Sequence, residues 1–218
     1  MRLNYYVNGN KTKHVDYRAA KKSKVEAELK ETLPEIVYQM AEDVCDPVLS
    51  RTVFFDHEIN EESATQLRAT LVSLSAESKE LPIRLMLGSP GGGLYESLAI
   101  YDTIKMIPNE VVAICSGKVM SGGILILLGC DKRYSTPNTT FMIHHGHTTM
   151  TGNVLELEEQ VKEVKALNQK MLDTIVKTTK ITRDQLDQFL VKDHYLNAEE
   201  AKKCGLVSEV ITSLEQIK

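Results

Sequence analysis

The chain is 218 residues long, with 42% hydrophobic and 26% charged residues, 12 Gly, 6 Pro and a formal net charge of −4. A chain of this length buries roughly 70% of the surface its unfolded form exposes, so it needs neither disulfides nor a structural metal to hold a core. Its mild acidity argues against a nucleic-acid binder whose affinity rests on neutralising phosphates.

Residues 1–15 are polar and lack the apolar stretch of a signal peptide. The longest aliphatic run, Ile124 to Leu128, falls far short of the ~20 residues a membrane helix needs. Cys45, Cys115, Cys130 and Cys204 form no CxxC pair, so they fit neither a zinc knuckle nor a small disulfide scaffold. Cys115 and Cys130 lie among apolar residues and read as buried thiols of a reduced, cytoplasmic protein.

Residues 1–22 are polar and lysine-rich, and read as partly disordered or ordered only by a neighbour. A helical pattern runs from Ser23 to Val44, split at Pro34. Thr52 to Phe55 is a short strand. Asn60 then caps an amphipathic helix in which Ala64, Leu67, Leu71 and Leu74 recur at three and four. Ile83 to Leu87 is a buried strand that ends in Gly88-Ser89-Pro90-Gly91-Gly92-Gly93, and a helix follows from Leu94 to Ile107. Val111 to Cys115 is the next strand. Ser116 to Gly123 is broken by glycine, Ile124 to Leu128 is a short hydrophobic helix, and Tyr134 and Phe141 to Ile143 mark strand pieces. This alternation predicts α/β architecture with largely parallel pairing. In such folds the site lies beyond the carboxyl ends of the strands, where Gly91 to Gly93, Ser121 and His144 all fall.

From Asn153 to Lys177, Val154, Leu157, Val161, Val164, Met171 and Ile175 form a narrow stripe with Glu and Lys between. One helix over this stretch would be about 37 Å long at about 1.5 Å per residue. Such a helix either crosses the whole domain or projects to pack on something else, such as another subunit. A shorter helix from Thr182, a strand piece at Tyr195-Leu196, a small helix from Ala198, a C-cap at Gly205 and a last strand, Leu206 to Ile211, complete the chain.

Three glycines in succession at 91–93 permit positive φ and expose backbone N–H groups that could bind an anion or an oxyanion. The turn is neither GxxxxGK[ST] nor GxGxxG, which disfavours nucleotide binding. Ser121, at a strand-to-helix transition, could attack with its Oγ, although an unselected serine there is usually an N-cap and GxSxG is absent. His144, at the end of a hydrophobic strand, could serve as its general base, although most such histidines are simply hydrogen-bonded at the rim. His145 and His147 raise a metal site, but no carboxylate completes a zinc set, and no cofactor is implied. Asp193 alone is an ordinary surface carboxylate, and it would orient a histidine only if the fold joined them.

Together these segments resemble the proteolytic subunit of the Clp ATP-dependent serine protease. The resemblance runs from about Val48 to Ile211 on SPGGGLYESLAIYDTI (Ser89–Ile104), ICSGKVMSGG (Ile114–Gly123), TPNTTFMIHH (Thr136–His145) and DHYLNAEEAKKCGLVSEVI (Asp193–Ile211). It implies a ClpP/crotonase-like superhelix of βαβ units with a projecting long-helix handle at about 153–178. It also implies Ser121 as nucleophile, His144 as general base, Asp193 as its orienting partner, and Gly92 and Gly122 N–H groups as the oxyanion hole. Gly91, Gly93, Met120, His145, Gly146, His147, Thr148 and Thr149 would touch a polypeptide substrate, with 146–153 an extended strand beside it. Heptameric rings stacked in pairs through the handle, fed by an AAA+ unfoldase, are the implied assembly. The chain departs from the family in Met120-Ser121-Gly122, where Ala-Ser-Met is usual, and in an unmatched divergent segment, 1–47, ahead of a protease domain at 48–218.

Two other readings compete. A crotonase-type acyl-CoA hydratase or isomerase shares the fold and a glycine-loop oxyanion hole but needs no Ser-His-Asp set. A latent or structural Clp-type subunit would keep the fold without turnover. A Ser–Lys dyad through Lys118, as in signal-peptide peptidases, is disfavoured by His144 and Asp193.

Overall fold

The computed structural model of the chain describes residues 2–7, 10–16 and 51–217. These divide between two units, Met1–Arg51 and Thr52–Lys218. In the first, β1 (Arg2–Val7) and β2 (Asn10–Asp16) pair antiparallel with Val7 opposite Asn10. Within residues 1–22, read as partly disordered or ordered only by a neighbour, the described residues 2–7 and 10–16 are these two strands. The helix expected over 23–44 and Cys45 lie outside the described residues.

In the second unit, β3 (Thr52–Phe55) leads to α1 (Glu61–Glu77). Asn60 closes a capping box with Ser63, and Leu67, Leu71 and Leu74 turn inward. β4 (Ile83–Leu87), α2 (Leu94–Met106) and β5 (Val111–Cys115) follow as expected. All five residues of β5 are buried, as are all eight of the helix α3 (Gly122–Gly129) that starts after Ser121. Between them lies β6 (Lys118–Met120), a strand inside the segment read only as glycine-broken.

β7 (Lys132–Ser135) and β8 (Thr140–Ile143) precede the long helix α4 (Val154–Thr178). Then come α5 (Arg183–Phe189), β9 (His194–Asn197), α6 (Ala198–Cys204) and β10 (Glu209–Val210). β10 is shorter than the strand expected over 206–211: Glu209 lies opposite Tyr134 and Val210 opposite Ser135, while the flanking Ser208 and Ile211 N–H groups donate to the Arg133 and Ser135 carbonyls. The main sheet has the order β10-β7-β5-β4-β3, and every pair in it is parallel. A second sheet, in the order β6-β8-β9, is interleaved with it along the chain and carries the site.

α4 is anchored at one end only. Its buried residues are Leu167, Met171, Leu172 and Ile175, each contributing about 1.5–3 kcal/mol by leaving water. The first three turns expose Val154 and Leu155 instead. At the anchored end the Arg133 guanidinium donates to the carbonyls of Thr178, Gly205 and Leu206, tying the ends of α4 and α6 together. Gly205 takes the left-handed conformation (φ 81°) that ends α6.

Candidate active site

The second sheet gathers residues that are far apart in sequence. β6 pairs parallel with β8, Met120 opposite Met142, and β8 pairs antiparallel with β9, Ile143 opposite His194. Ser121 is the residue after β6, His144 the residue after β8, and Asp193 the residue before β9. Three neighbouring strand ends therefore present all three side chains on one edge.

Ser121 has φ 52° and ψ −123°, and it is the one non-glycine residue with positive φ among the described residues. That conformation costs on the order of 1–3 kcal/mol and persists only where the surroundings enforce it. Its side chain does not cap α3. Instead Ser121 Oγ lies 2.9 Å from His144 Nε2, which removes the N-cap reading. The sharp strand-to-helix turn does what a nucleophile elbow does without the GxSxG sequence.

The glycine turn after β4 packs directly on this serine. Gly91 has φ 95°, and a Cβ there would stand 2.7 Å from both the Met120 carbonyl and Ser121 Cβ. The Ile59 N–H donates to the Gly91 carbonyl and the Gly93 N–H to the Ile59 carbonyl, each at 2.8 Å. The Gly92 N–H between them has no hydrogen bond among the described residues, and neither does the Gly122 N–H at the start of α3. Two unused donors beside a serine, one on a helix N-terminus, suit a developing negative charge.

His144 is largely buried, and its Nδ1 stands 3.5 Å from Asp193 Oδ1. This is ion-pair distance without the alignment of a hydrogen bond, so the buried Nδ1 has no hydrogen-bond partner. Asp193 itself is half exposed. The serine–histidine link is thus formed and the histidine–aspartate link is open. The His147 ring lies 5.1 Å from the His144 ring, tilted by 43°.

Ser121 and His144 open onto a groove of about 1130 Å³. Of the expected contact residues, Gly91, Gly92, Gly93, Gly122, His145, Gly146, His147 and Thr148 line it. Met120 and Thr149 do not. Met120 ends β6 with its carbonyl packed against Gly91, and Thr149 lies further along an exposed segment. Residues 146–153, expected to extend beside a bound substrate, lie in no strand. The wall from α4, with Asn168, Met171 and Leu172, went unread in the sequence, where the stripe was assigned to packing alone. Tyr95, on the rim, donates to Glu163 Oε1 at 3.0 Å, and this hydrogen bond raises its hydroxyl pKa.

The Clp protease family model matches residues 35–214. The chain belongs to that family. It is 36% identical over 163 residues to the ATP-dependent Clp protease proteolytic subunit of Deinococcus radiodurans, spanning 74% of this chain and 80% of that protein. A mutant of ClpP1 from Listeria monocytogenes superposes with a TM-score of 0.72 and 30% identity, covering 80% of this chain and 99% of that one. The chain is therefore a serine-type peptidase of the Clp family with a ClpP-like α/β fold. The family match begins at residue 35, ahead of Val48, where the resemblance in the sequence begins.

Proposed function

We propose that this Clp-family chain is an endopeptidase subunit that cuts unfolded polypeptides inside a chamber built from its own rings. The observation that carries the catalytic assignment is the 2.9 Å contact between Ser121 Oγ and His144 Nε2, on a serine held at positive φ. Ser121 Oγ attacks the scissile carbonyl carbon as His144 Nε2 takes the hydroxyl proton. The oxyanion so formed accepts hydrogen bonds from the Gly92 and Gly122 N–H groups. His144 returns the proton to the leaving amine, and the acyl-enzyme remains on Ser121. Water then attacks with the same proton traffic and releases the second peptide. Asp193, once aligned on Nδ1, fixes the tautomer and stabilises the imidazolium.

Residues 146–150 make no backbone hydrogen bond among the described residues, which supports their pairing with an extended substrate. The half-anchored α4 supports assembly into paired heptameric rings. The name of the D. radiodurans relative, an ATP-dependent subunit, supports feeding by an AAA+ unfoldase. Buried, unpaired Cys115 and Cys130 support a reducing, cytoplasmic setting. In this reading residues 48–218 carry the chemistry, and 1–47 stand apart from it.

Treatment with a fluorophosphonate tests the assignment, with one adduct expected, on Ser121. Absence of labelling together with binding of coenzyme A would move the chain to the crotonase-type chemistry.

A further inference from the structure

The His147 side chain takes no part in the proton transfers above, yet its ring contacts the ring of the general base. The centroids are 5.1 Å apart with the planes tilted by 43°, inside the range in which aromatic rings attract. What else holds the His144 imidazole is limited. One edge is held at 2.9 Å by Ser121, and the other faces Asp193 at 3.5 Å without a hydrogen bond. A ring tethered at one nitrogen can still swing about χ2, which is a broad, soft torsion. Contact with a second ring restricts that swing.

We infer that His147 is a positioning residue for His144, holding its imidazole against Ser121 while the aspartate link is open. This rests on the protease reading. Chain geometry favours the contact, since His144-His145-Gly146-His147 leaves β8 at Ile143 and enters no further strand. Gly146 has open space where a Cβ would be, so no packing around that residue sets the path. His145, by contrast, makes no ring contact with His144 among the described residues. Glu58, Tyr95, His145, Lys165, Arg183 and Asp193 are the other ionisable side chains at the groove and its rim. The argument for His147 rests on its ring and not on its charge.

The test compares fluorophosphonate labelling and small-ester turnover in the full chain with those of His147→Ala and His147→Phe. The expected result for His147→Ala is a roughly three- to tenfold fall in labelling rate and kcat, the scale of one aromatic contact, with KM unchanged. His147→Phe, which keeps a flat ring and loses the nitrogens, restores most of the loss. His147 is exposed, so both variants should fold, and equal thermal midpoints would verify it. Wild-type labelling rates in His147→Ala, or a Phe variant no better than Ala, would overturn the inference and leave the protease reading intact. A wild-type chain that does not label at all would overturn both.

Discussion

Ser121 donates its backbone N–H to the carbonyl of Met142 at 2.9 Å, extending the β6–β8 pairing one residue past the end of β6. The nucleophile and the strand that delivers its base are therefore tied through the backbone. The Ser121–His144 spacing is a property of the sheet and survives loss of either side chain.

On that ground, Ser121→Ala should abolish peptide hydrolysis by at least about a thousandfold while leaving the fold and any assembly intact. Peptidase assays and size-exclusion chromatography of the same preparation test both halves. Because Ser121 sits at φ 52°, Ser121→Gly should also be more stable than Ser121→Ala by about 1 kcal/mol, read by urea unfolding. Equal stability of the two would mean that the turn is not strained.

Asp193 should matter less than Ser121. Its carboxylate stands 3.5 Å from His144 Nδ1 and is half exposed, so the resting site already makes its serine–histidine bond without it. Asp193→Ala should retain roughly a hundredfold more activity than Ser121→Ala, a spread seen in other triads. Equal losses would show that the closed link forms before every turnover.

Gly91→Ala is expected to remove activity through shape alone. The new Cβ would press on the Met120 carbonyl and Ser121 Cβ at 2.7 Å, at a φ of 95° that side chains rarely adopt. The strain should cost about 1–3 kcal/mol and displace the nucleophile, so labelling falls more than stability does. A variant that unfolds at a lower urea concentration but labels at the normal rate would refute the contact.

Much of this was legible in the chain. Thr52–Phe55, Ile83–Leu87 and Val111–Cys115 are apolar runs bounded by turn residues, and Asn60, Asn153, Thr182 and Asn197 each cap a helix. β6 was not legible, since three residues, Lys118 to Met120, are too few to show a period of two. That strand decides where Ser121 points. Similarly, Asp193 reaches His144 only because β9 pairs with β8, a long-range register that local patterns do not encode. The groove wall from α4 was hidden for another reason. Met171, part of the apolar stripe, is core together with Leu167 and Leu172, but the same helix also borders the site.

The two buried thiols make stability fall with rising pH. Burial holds the Cys115 thiol well above its ordinary range and pushes Cys130 up to about 12. An unfolded thiol ionises near pH 8.5, so above that point the folded state binds more protons than the unfolded one. Stability is therefore complete below about pH 8.5 and declines by up to about 1.4 kcal/mol per pH unit for each thiol. Urea unfolding at pH 8 and pH 10 reads this slope, and Cys130→Ala should lessen it. A slope unchanged in that variant would assign the effect elsewhere.

The long helix makes the last prediction. Val154 and Leu155 are 71% and 74% exposed on its first turn, and Val161 is 40% exposed two turns on. Exposed on the projecting part of the helix, these three apolar side chains suit a partner surface. In the proposed assembly that partner is the same helix region of another copy, and burying each side chain contributes about 1.5–3 kcal/mol. Repeated around a ring, that contribution decides whether two rings stay together. Leu155→Asp should place a charge in every such contact and convert the proposed double ring to single rings or smaller species by light scattering. The Ser121–His144 pair within each subunit is untouched by this change, so labelling of Ser121 should continue. A wild-type chain that is strictly monomeric, or an Asp variant with unchanged mass, would remove the reason for so long a helix.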